Sequence, residues 1–352
     1  MTRALTVYAG EMAFRRLQEK RLEQEDIECV IAASGGPKWF VLYHLNHFLF
    51  SEFFAGRQSP LHTLGSSAGA WQLVCLATRD PAKALTRLMD LYSHETYTVK
   101  PDVDEITQKA ERLIKAVIGD EGAAEVVNNP IIKTHILTNR SKHLLKMENR
   151  YLLSLGLGAT AMGNLISRRS LRHFFERVLF HSGSQSFFNF SDFQTVKTPL
   201  QEENLIPVLL ATGAIPLIIR GQSNIPRAPK GLYRDGGIID YHFDLPFAES
   251  EKLILYPHFS ARPIAGWFDK PLHWRRVNKE NYKRIVMMVP SQEFIDALPF
   301  KKITDRNDFV RMDAVTRQRY WQQVIAAGQQ LADEFAAYVE GRSDIDLRRF
   351  GA

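Results

Sequence analysis

The chain has 352 residues, of which 45% are hydrophobic, so it is long enough to bury a large core as one α/β domain or two small ones. Its 45 basic and 39 acidic residues give a net charge of +6, which is compatible with an anionic lipid surface. The sequence has no zinc-finger spacing and no basic run interleaved with aromatic residues, so we expect no nucleic-acid partner. Two cysteines are too few for a disulfide framework and suit a reducing compartment.

The first segment of the chain, residues 1–26, is charged and helix-like. It lacks the apolar stretch of a secretory signal, and no run in the sequence approaches the roughly 18 apolar residues that a membrane-spanning helix needs. We therefore expect a cytoplasmic protein whose contact with membranes is at most peripheral.

An apolar run and a glycine-rich turn follow. Residues 28–33 have the composition of a buried strand, residues 39–50 have a helical pattern, and between them the chain runs Ser34-Gly35-Gly36-Pro37-Lys38. The glycine spacing matches neither a dinucleotide-binding turn nor a phosphate-binding P-loop. Two interpretations remain. One is a plain tight turn; the other is an oxyanion hole, in which the backbone N–H groups of Gly35 and Gly36 face a negatively charged oxygen.

A second strand–turn–helix unit has a serine at its centre. After the apolar residues Leu61 and Leu64, and before a helix-like run to Ala77, the chain runs Gly65-Ser66-Ser67-Ala68-Gly69. A serine between two glycines at such a junction is typical of a nucleophile elbow, because close contact between strand and helix needs small side chains on both sides. The amide of Ala68, directly after the central serine, is a third candidate donor for the oxyanion hole.

A carboxylate followed by two glycines occurs far downstream, at Asp235-Gly236-Gly237. By itself this tripeptide favours a hairpin turn. A segment of small residues that ends in proline, residues 211–217, lies ahead of it. An apolar run typical of a strand, residues 252–256, comes after it.

The order of these motifs resembles that of the patatin-like phospholipases over residues 28–256. The resemblance implies a three-layer α/β sandwich with a mostly parallel central sheet, Ser67 as catalytic serine and Asp235 as its base, with no cofactor and no metal. The family's G-G-G-x-[RK] oxyanion loop falls on Ser34–Lys38. There are two departures: Ser34 replaces the first glycine, and residues 240–246 stand where the family usually has Asn-x-Pro.

The implied function is that of a lipid acyl hydrolase, which cleaves carboxylic esters through an acyl-enzyme on Ser67. The two departures favour an alternative, a lipid- or acyl-binding protein that keeps the fold with little or no turnover. A Ser–His–Asp triad is a further alternative, because His242 and His258 follow Asp235 in the chain. That order resembles the α/β-hydrolases, but in their fold the oxyanion donors and the acidic residue do not come from a glycine loop on the first strand and from D-G-G.

Three other features have structural and functional interpretations. Residues 168–179 combine apolar positions at helical spacing with four arginines, which predicts a basic amphipathic helix that either packs on the core or contacts an anionic membrane. The glycine-rich residues 155–165 suit a loop over an apolar pocket or a buried turn. His44 and His47 have no third metal ligand nearby, so packing is the better interpretation.

The remaining expectations concern architecture. We expect all of residues 1–352 to form one catalytic domain, with residues 261–352 as an extension packed on it and a long helix over residues 312–339. No motif indicates an oligomeric state. The expected strands are residues 28–33, 61–65, 131–137, 187–193, 253–256 and 284–289.

Overall fold

A central β-sheet organises the structure, a computed structural model that describes residues 3–351. Eleven strands form this sheet among the described residues. They are β1 (Leu5–Ala9), β2 (Ile27–Ala32), β3 (Leu61–Ser66), β4 (Ile132–Ser141), β5 (Phe175–His181), β6 (Thr195–Pro199), β7 (Gln222–Ser223), β8 (Leu232–Asp235), β9 (Leu253–Pro257), β10 (Ile285–Pro290) and β11 (Asp346–Arg349).

The strands run in the order β11-β1-β10-β9-β2-β3-β4-β5-β6, and the short β8 adds to β4 with β7 beside it. The pairings of β10, β9, β2, β3 and β4 are parallel, whereas β1 on β10, β5 on β4 and β8 on β4 are antiparallel. Nearly every residue of the central strands is buried, as expected where helices cover both faces of a parallel sheet.

Helices flank the sheet, which gives the mostly parallel three-layer α/β sandwich predicted from the sequence. The α-helices of the described chain are α1 (Glu11–Glu19), α2 (Tyr43–Phe48), α3 (Ala68–Leu76), α4 (Pro81–Ser93), α5 (Val103–Ile118), α6 (Gly122–Asn128), α7 (Arg150–Ile166), α8 (Glu202–Thr212), α9 (Gln292–Ala297), α10 (Asp308–Arg311), α11 (Ala314–Ala327) and α12 (Gln329–Val339). Within residues 3–351, no helix combines the length and apolar composition required to cross a bilayer.

Five of the six predicted strands are confirmed, within a residue or a few of their expected ends, as β2, β3, β4, β9 and β10. The sixth, residues 187–193, is wrong: this segment forms no strand. Its aromatic side chains pack on one another and on the sheet instead, with Phe187 stacked on His62 at a 3.8 Å ring separation and Phe188 stacked on Phe190. A run of aromatic residues therefore indicated burial correctly but not backbone pairing.

The predicted basic amphipathic helix over residues 168–179 is also wrong. The chain forms a short 3-10 segment, Arg168–His173, and then enters β5. Arg177, one of the four arginines of the prediction, is fully buried between the carboxylates of Asp192 and Asp240, at 2.7 Å from each. Apolar residues at i, i+3 and i+4 fit a strand buried on both faces as well as a helix. Antiparallel pairing with β4 makes residues 175–181 a strand.

Two further segments differ from expectation. The glycine-rich residues 155–165 are neither a loop nor a buried turn but part of helix α7. The long helix expected over residues 312–339 is divided into α11 and α12 at Gly328, where a Cβ would lie 2.5 Å from the Val41 carbonyl oxygen. The helix-like start of the chain contains strand β1 ahead of helix α1, and its first two residues lie outside the described residues.

The C-terminal third belongs to the framework of the sheet. β10 lies between β1 and β9, and β11 pairs in parallel with β1 at one edge. The N-terminal strand therefore joins the central strands through β10, whose residues come about 280 positions later in the chain; Ala9, for example, pairs with Val286.

Candidate active site

Ser67 lies at the turn between β3 and α3. Its φ of 52° and ψ of −134° fall in a region that side chains rarely occupy, so the turn is strained. Glycines on both sides allow the strand and the helix to approach. A Cβ on Gly65 would lie 2.5 Å from the Ala70 Cα, and one on Gly69 would lie 2.0 Å from the Ala32 carbonyl oxygen. This is the geometry of a nucleophile elbow.

The two adjacent serines have different partners. The Ser66 hydroxyl donates to the Asp240 carbonyl oxygen at 2.8 Å, so the Ser34 hydroxyl must be the donor in its 2.7 Å contact with Ser66 Oγ. The Ser67 hydroxyl instead donates to Asp235 Oδ2 at 2.8 Å. Ser66 therefore connects the ends of β2 and β3 to the segment after β8, and Ser67 has the hydroxyl that faces a carboxylate.

The edge of β4 brings Ser67 and Asp235 together across 168 positions of sequence. β3 pairs with the first half of this strand and ends with Ser66 opposite Leu137. β8 pairs with the second half along the same strand and has Asp235 opposite Thr138, the next residue. The serine that follows β3 and the aspartate that ends β8 are thus neighbours because their partners on β4 are consecutive.

Hydrogen bonds hold both the carboxylate and the backbone of Asp235. Its Oδ1 accepts from the Gly237 amide at 2.7 Å, and the Asn139 amide group donates to the carbonyl oxygens of Asp235 and Gly236. Both glycines of the motif are sterically required: a Cβ on Gly236 would lie 2.2 Å from the Leu137 carbonyl oxygen, and one on Gly237 would meet the Ser34 side chain.

Burial raises the pKa of Asp235 to about 6, although the hydrogen bonds from Ser67 and Gly237 oppose the rise. A carboxylate with an ordinary pKa near 3.9 is a weak acceptor for a hydroxyl proton. The environment of Asp235 therefore makes it a stronger base than an exposed aspartate, while it stays ionised at neutral pH.

Three backbone amides lie next to Ser67 without an acceptor among residues 3–351. They belong to Gly35, Gly36 and Ala68. Gly36 has a φ of +57°, a left-handed conformation that a β-branched residue would strain, and a Cβ on Gly35 would lie 2.6 Å from the Phe259 ring. Gly35 and Gly36 line the same cavity as Ser67, and Ala68 directly follows Ser67, so these three amides are candidate donors to a ligand there.

Thr212 is a positioning residue that the sequence did not reveal. It ends α8, and its hydroxyl accepts from the Ser67 backbone N–H at 2.8 Å while donating to the Leu137 carbonyl oxygen at 2.6 Å. This double contact satisfies the amide at the strained turn and ties it to β4. The only available signal was the position of Thr212 in the small-residue segment before Asp235.

Ser67 and Asp235 open into a cavity of about 360 Å³. One part of its wall is apolar, made by Ile215, Pro216, Ile238, Phe259, Ile264 and Trp267. Such a wall next to a nucleophile suits a hydrocarbon chain, because few of its groups can offer hydrogen bonds to a polar ligand.

The other part of the wall carries cations. Lys38, in the predicted oxyanion loop, pairs with Asp305 at 3.5 Å, and Arg306, the residue after Asp305, also lines the cavity. Lys270 lies 4.0 Å above the Tyr241 ring, and burial together with the neighbouring Lys38 and Arg306 lowers its pKa to about 8. Sequence reasoning found no chemistry after residue 260. Single charged residues in loops show no pattern that links them to a site folded from other segments.

The two histidines of the alternative triad do not contact the serine. His242 Nδ1 accepts from the Ile264 amide at 3.1 Å, and His258 Nδ1 contacts the backbone of Ser260. Burial lowers the pKa of His242 well below its usual value and that of His258 to about 3, so both are neutral at physiological pH. No group of three potential metal-ligating side chains occurs in the described part of the chain.

No protein-family model and no curated protein matches this sequence. Among solved structures, the crystal structure of VipD from Legionella pneumophila aligns with 97% of this chain and 70% of its own, with 11% identical residues and a TM-score of 0.39. Similarity at that level carries no argument about activity, so the chemistry must be argued from the site itself.

We expect a fluorophosphonate probe to label Ser67 and not Ser66. The reason is that only Ser67 has its hydroxyl against a carboxylate and faces the cavity. Tandem mass spectrometry of the labelled peptide identifies the modified residue. Ser67→Ala should abolish labelling, and Ser66→Ala, compared at equal folded fraction, should keep it. A label on Ser66 would contradict the assignment.

Proposed function

We propose that this protein is a lipid acyl hydrolase that uses Ser67 as nucleophile and Asp235 as the base, without a histidine. The observation that carries the proposal is the 2.8 Å hydrogen bond from the Ser67 hydroxyl to a buried carboxylate whose pKa is raised to about 6. The resemblance of the motif order to patatin-like phospholipases supports the same pairing. The apolar wall of the cavity supports an acyl chain as part of the substrate.

In the first step, Asp235 accepts the proton of Ser67 as the serine oxygen attacks the carbonyl carbon of an ester. The carbonyl oxygen becomes an oxyanion, which the amides of Gly35, Gly36 and Ala68 stabilise. One such donor is typically worth about 3 kcal/mol of transition-state stabilisation. When the tetrahedral intermediate collapses, the ester C–O bond breaks and protonated Asp235 donates its proton to the oxygen of the leaving group, which departs as an alcohol.

In the second step, water attacks the acyl-enzyme. Asp235, ionised again, accepts a proton from that water, and the same three amides stabilise the second oxyanion. Breaking the bond to Ser67 releases the fatty acid, and Asp235 returns the proton to the serine oxygen. All protons are accounted for by one carboxylate, so the reaction needs neither a metal nor a cofactor.

The cationic part of the wall favours an ester that carries an anionic group. Lys38, Lys270 and Arg306 outnumber the single carboxylate of Asp305 in the cavity lining, apart from the base itself. Lys38 is already paired with Asp305, which leaves Lys270 and Arg306 for a ligand. A phospholipid, with a hydrocarbon chain and a phosphate, matches both parts of the wall.

Asp235→Asn should lower the acylation rate by about 10² or more, because the amide keeps the shape of the side chain but cannot accept the serine proton. Hydrolysis of a chromogenic short-chain ester measures the effect. The loss should not come from unfolding. Since the folded-state pKa of Asp235 lies above its unfolded value of about 3.9, the ionised group costs stability above pH 6, and the variant should be at least as stable there.

His242→Ala and His258→Ala are the controls for this prediction. A Ser–Asp dyad expects both to keep most of the activity at matched folded fraction, whereas a triad expects one of them to lose as much as Ser67→Ala. Loss of turnover in a folded histidine variant, with Asp235→Asn still active, would refute the dyad. Lipid binding with no ester hydrolysis and no fluorophosphonate labelling would instead support the non-catalytic alternative.

The rate on an uncharged ester should rise with pH through about 6 and then level off. Asp235 acts only as the carboxylate, so below its pKa kcat/KM should fall about tenfold for each pH unit. The inflection should shift little with temperature, because carboxyl groups ionise with little heat, unlike imidazole. An inflection that moves with temperature as an imidazole does would contradict the assignment of Asp235.

Lys270→Gln should raise KM by roughly tenfold for an ester that bears a phosphate or carboxylate, since a charge-assisted hydrogen bond is lost, and should leave a neutral ester unaffected. In the wild type this preference should weaken as pH rises through about 8, because Lys270 loses its charge and only its contribution is lost. Lys115→Gln, an exposed lysine on α5, is the matched control. An equal effect of Lys270→Gln on both esters would contradict an anion subsite.

A further inference from the structure

Helix α7 has apolar side chains on both its inner and its outer face. After Arg150, its sixteen remaining residues include no charged side chain. The inner face is buried through Leu153, Gly156, Leu157, Thr160 and Asn164. The outer face leaves large apolar side chains in solvent: Tyr151 is 79% exposed, Leu155 65%, Met162 64% and Ile166 86%.

The exposed residues form one continuous stripe. Positions 151, 155, 162 and 166 are separated by four, seven and four residues, so they lie along one side of the helix. Leu144 and Met147, just before α7, are also exposed. A surface helix of a soluble protein normally places polar or charged residues on its outer face, so a contiguous apolar outer face indicates a surface that binds a partner or a membrane.

Basic residues lie on the two segments that flank α7 in sequence and at its start. The segments on either side of α7 in sequence, His143–Lys146 and Arg168–His173, both pack against it. Apart from Arg168, which faces the carboxylates of Asp192, Asp240 and Asp269, the lysines and arginines on or next to these segments and at the start of α7 are Lys142, Lys146, Arg150, Arg169 and Arg172.

The nearby acids do not offset that charge. Within residues 142–176 the carboxylates are Glu148 and Glu176, and each already pairs with an arginine, Arg234 and Arg140 respectively. An exposed apolar stripe with basic residues on the flanking segments is complementary to an anionic lipid surface, which offers hydrocarbon below negatively charged headgroups.

The inner face of α7 connects this surface to the cavity. Leu153 and Leu157 belong to a small hydrophobic cluster that includes Ile238, and Trp267 packs against it. Ile238 and Trp267 also line the cavity around Ser67. The C-terminal end of the helix is tied to the same wall by a 2.8 Å hydrogen bond from Asn164 to Asp269.

We infer that α7 is an interfacial membrane-binding helix, which lies on an anionic bilayer with Tyr151, Leu155, Met162 and Ile166 inserted among the lipids. Its 17 residues span about 25 Å along the membrane plane. Lipid contact is therefore expected at α7 and not through residues 168–179, which form a short 3-10 segment and part of β5. The inference does not depend on the chemistry of Ser67.

The test uses the full chain with Ser67→Ala, so that no lipid is consumed. Co-sedimentation should show binding to vesicles of phosphatidylcholine mixed with phosphatidylglycerol, weaker binding to phosphatidylcholine alone, and a decrease with salt, since exposed charges are screened over about 10 Å at 0.1 M. Leu155→Glu with Met162→Glu should reduce binding by about tenfold or more. Val99→Glu with Val315→Glu adds the same charge at exposed valines elsewhere and should leave binding unchanged.

A site-specific probe reports insertion directly. Cys29 and Cys75 are both buried, so an environment-sensitive fluorophore attached through Met162→Cys should label that position selectively. Its emission should shift to the blue on anionic vesicles, whereas the same label attached through Val99→Cys should not respond. Equal binding to neutral and anionic vesicles, or binding unaffected by Leu155→Glu with Met162→Glu, would overturn the inference.

Two outcomes separate this inference from its alternatives. If the protein forms a dimer that Leu155→Glu with Met162→Glu converts to a monomer, and vesicles are not bound, the stripe is an interface between two copies and the inference is wrong. In the active protein, the same double variant should hydrolyse a soluble ester at the normal rate, because neither residue lines the cavity. Failure of ester hydrolysis with intact vesicle binding would refute the proposed function alone.

Discussion

The shared edge of β4 is the constraint on which the candidate site depends. β4 extends beyond the end of β3, and β8 pairs with β4 from the next residue onward. Because Ser66 lies opposite Leu137 and Asp235 lies opposite Thr138, Ser67 and Asp235 are neighbours. Asn139, one residue further along, holds the backbone of Asp235 and Gly236. Three consecutive residues of one strand thus set the separation of two groups that come from distant parts of the chain.

Burial at this junction has opposing effects on stability and on chemistry. The desolvation that raises the pKa of Asp235 also makes its ionised form costly to fold around, and the strained Ser67 adds to that cost. Hydrogen bonds below the site offset part of it. They run from Ser34 through Ser66 to the Asp240 backbone, and the Asp240 carboxylate is paired with the buried Arg177. Ser34, in the glycine-rich turn after β2, is therefore part of the support for the elbow.

Segments far apart in sequence complete the cavity and its surroundings. Lys270 and Arg306, from the C-terminal third, supply the charge that distinguishes one wall from the apolar one. α7, from the middle of the chain, presents an apolar stripe to solvent. Its inner face belongs to a cluster with Ile238 and Trp267, which also line the cavity. Under our proposals these features serve one substrate, since α7 would contact lipid with its outer face and the cavity wall with its inner face.

The sequence alone determined the features whose physical cause is local. The glycines that flank Ser67 and follow Asp235 are steric requirements of the turns in which they lie, so the two motifs could be predicted without a structure. Apolar runs indicated five of the strands, whereas the parallel sheet was implied by the resemblance of the motif order. Only the tertiary structure decided the rest, because the deciding partner lies elsewhere in the chain. Pairing with β4 made a strand of the segment around Arg177, packing on Ile238 and Trp267 made a helix of a glycine-rich run, and the folding of the last third against the sheet brought Lys270 to the cavity.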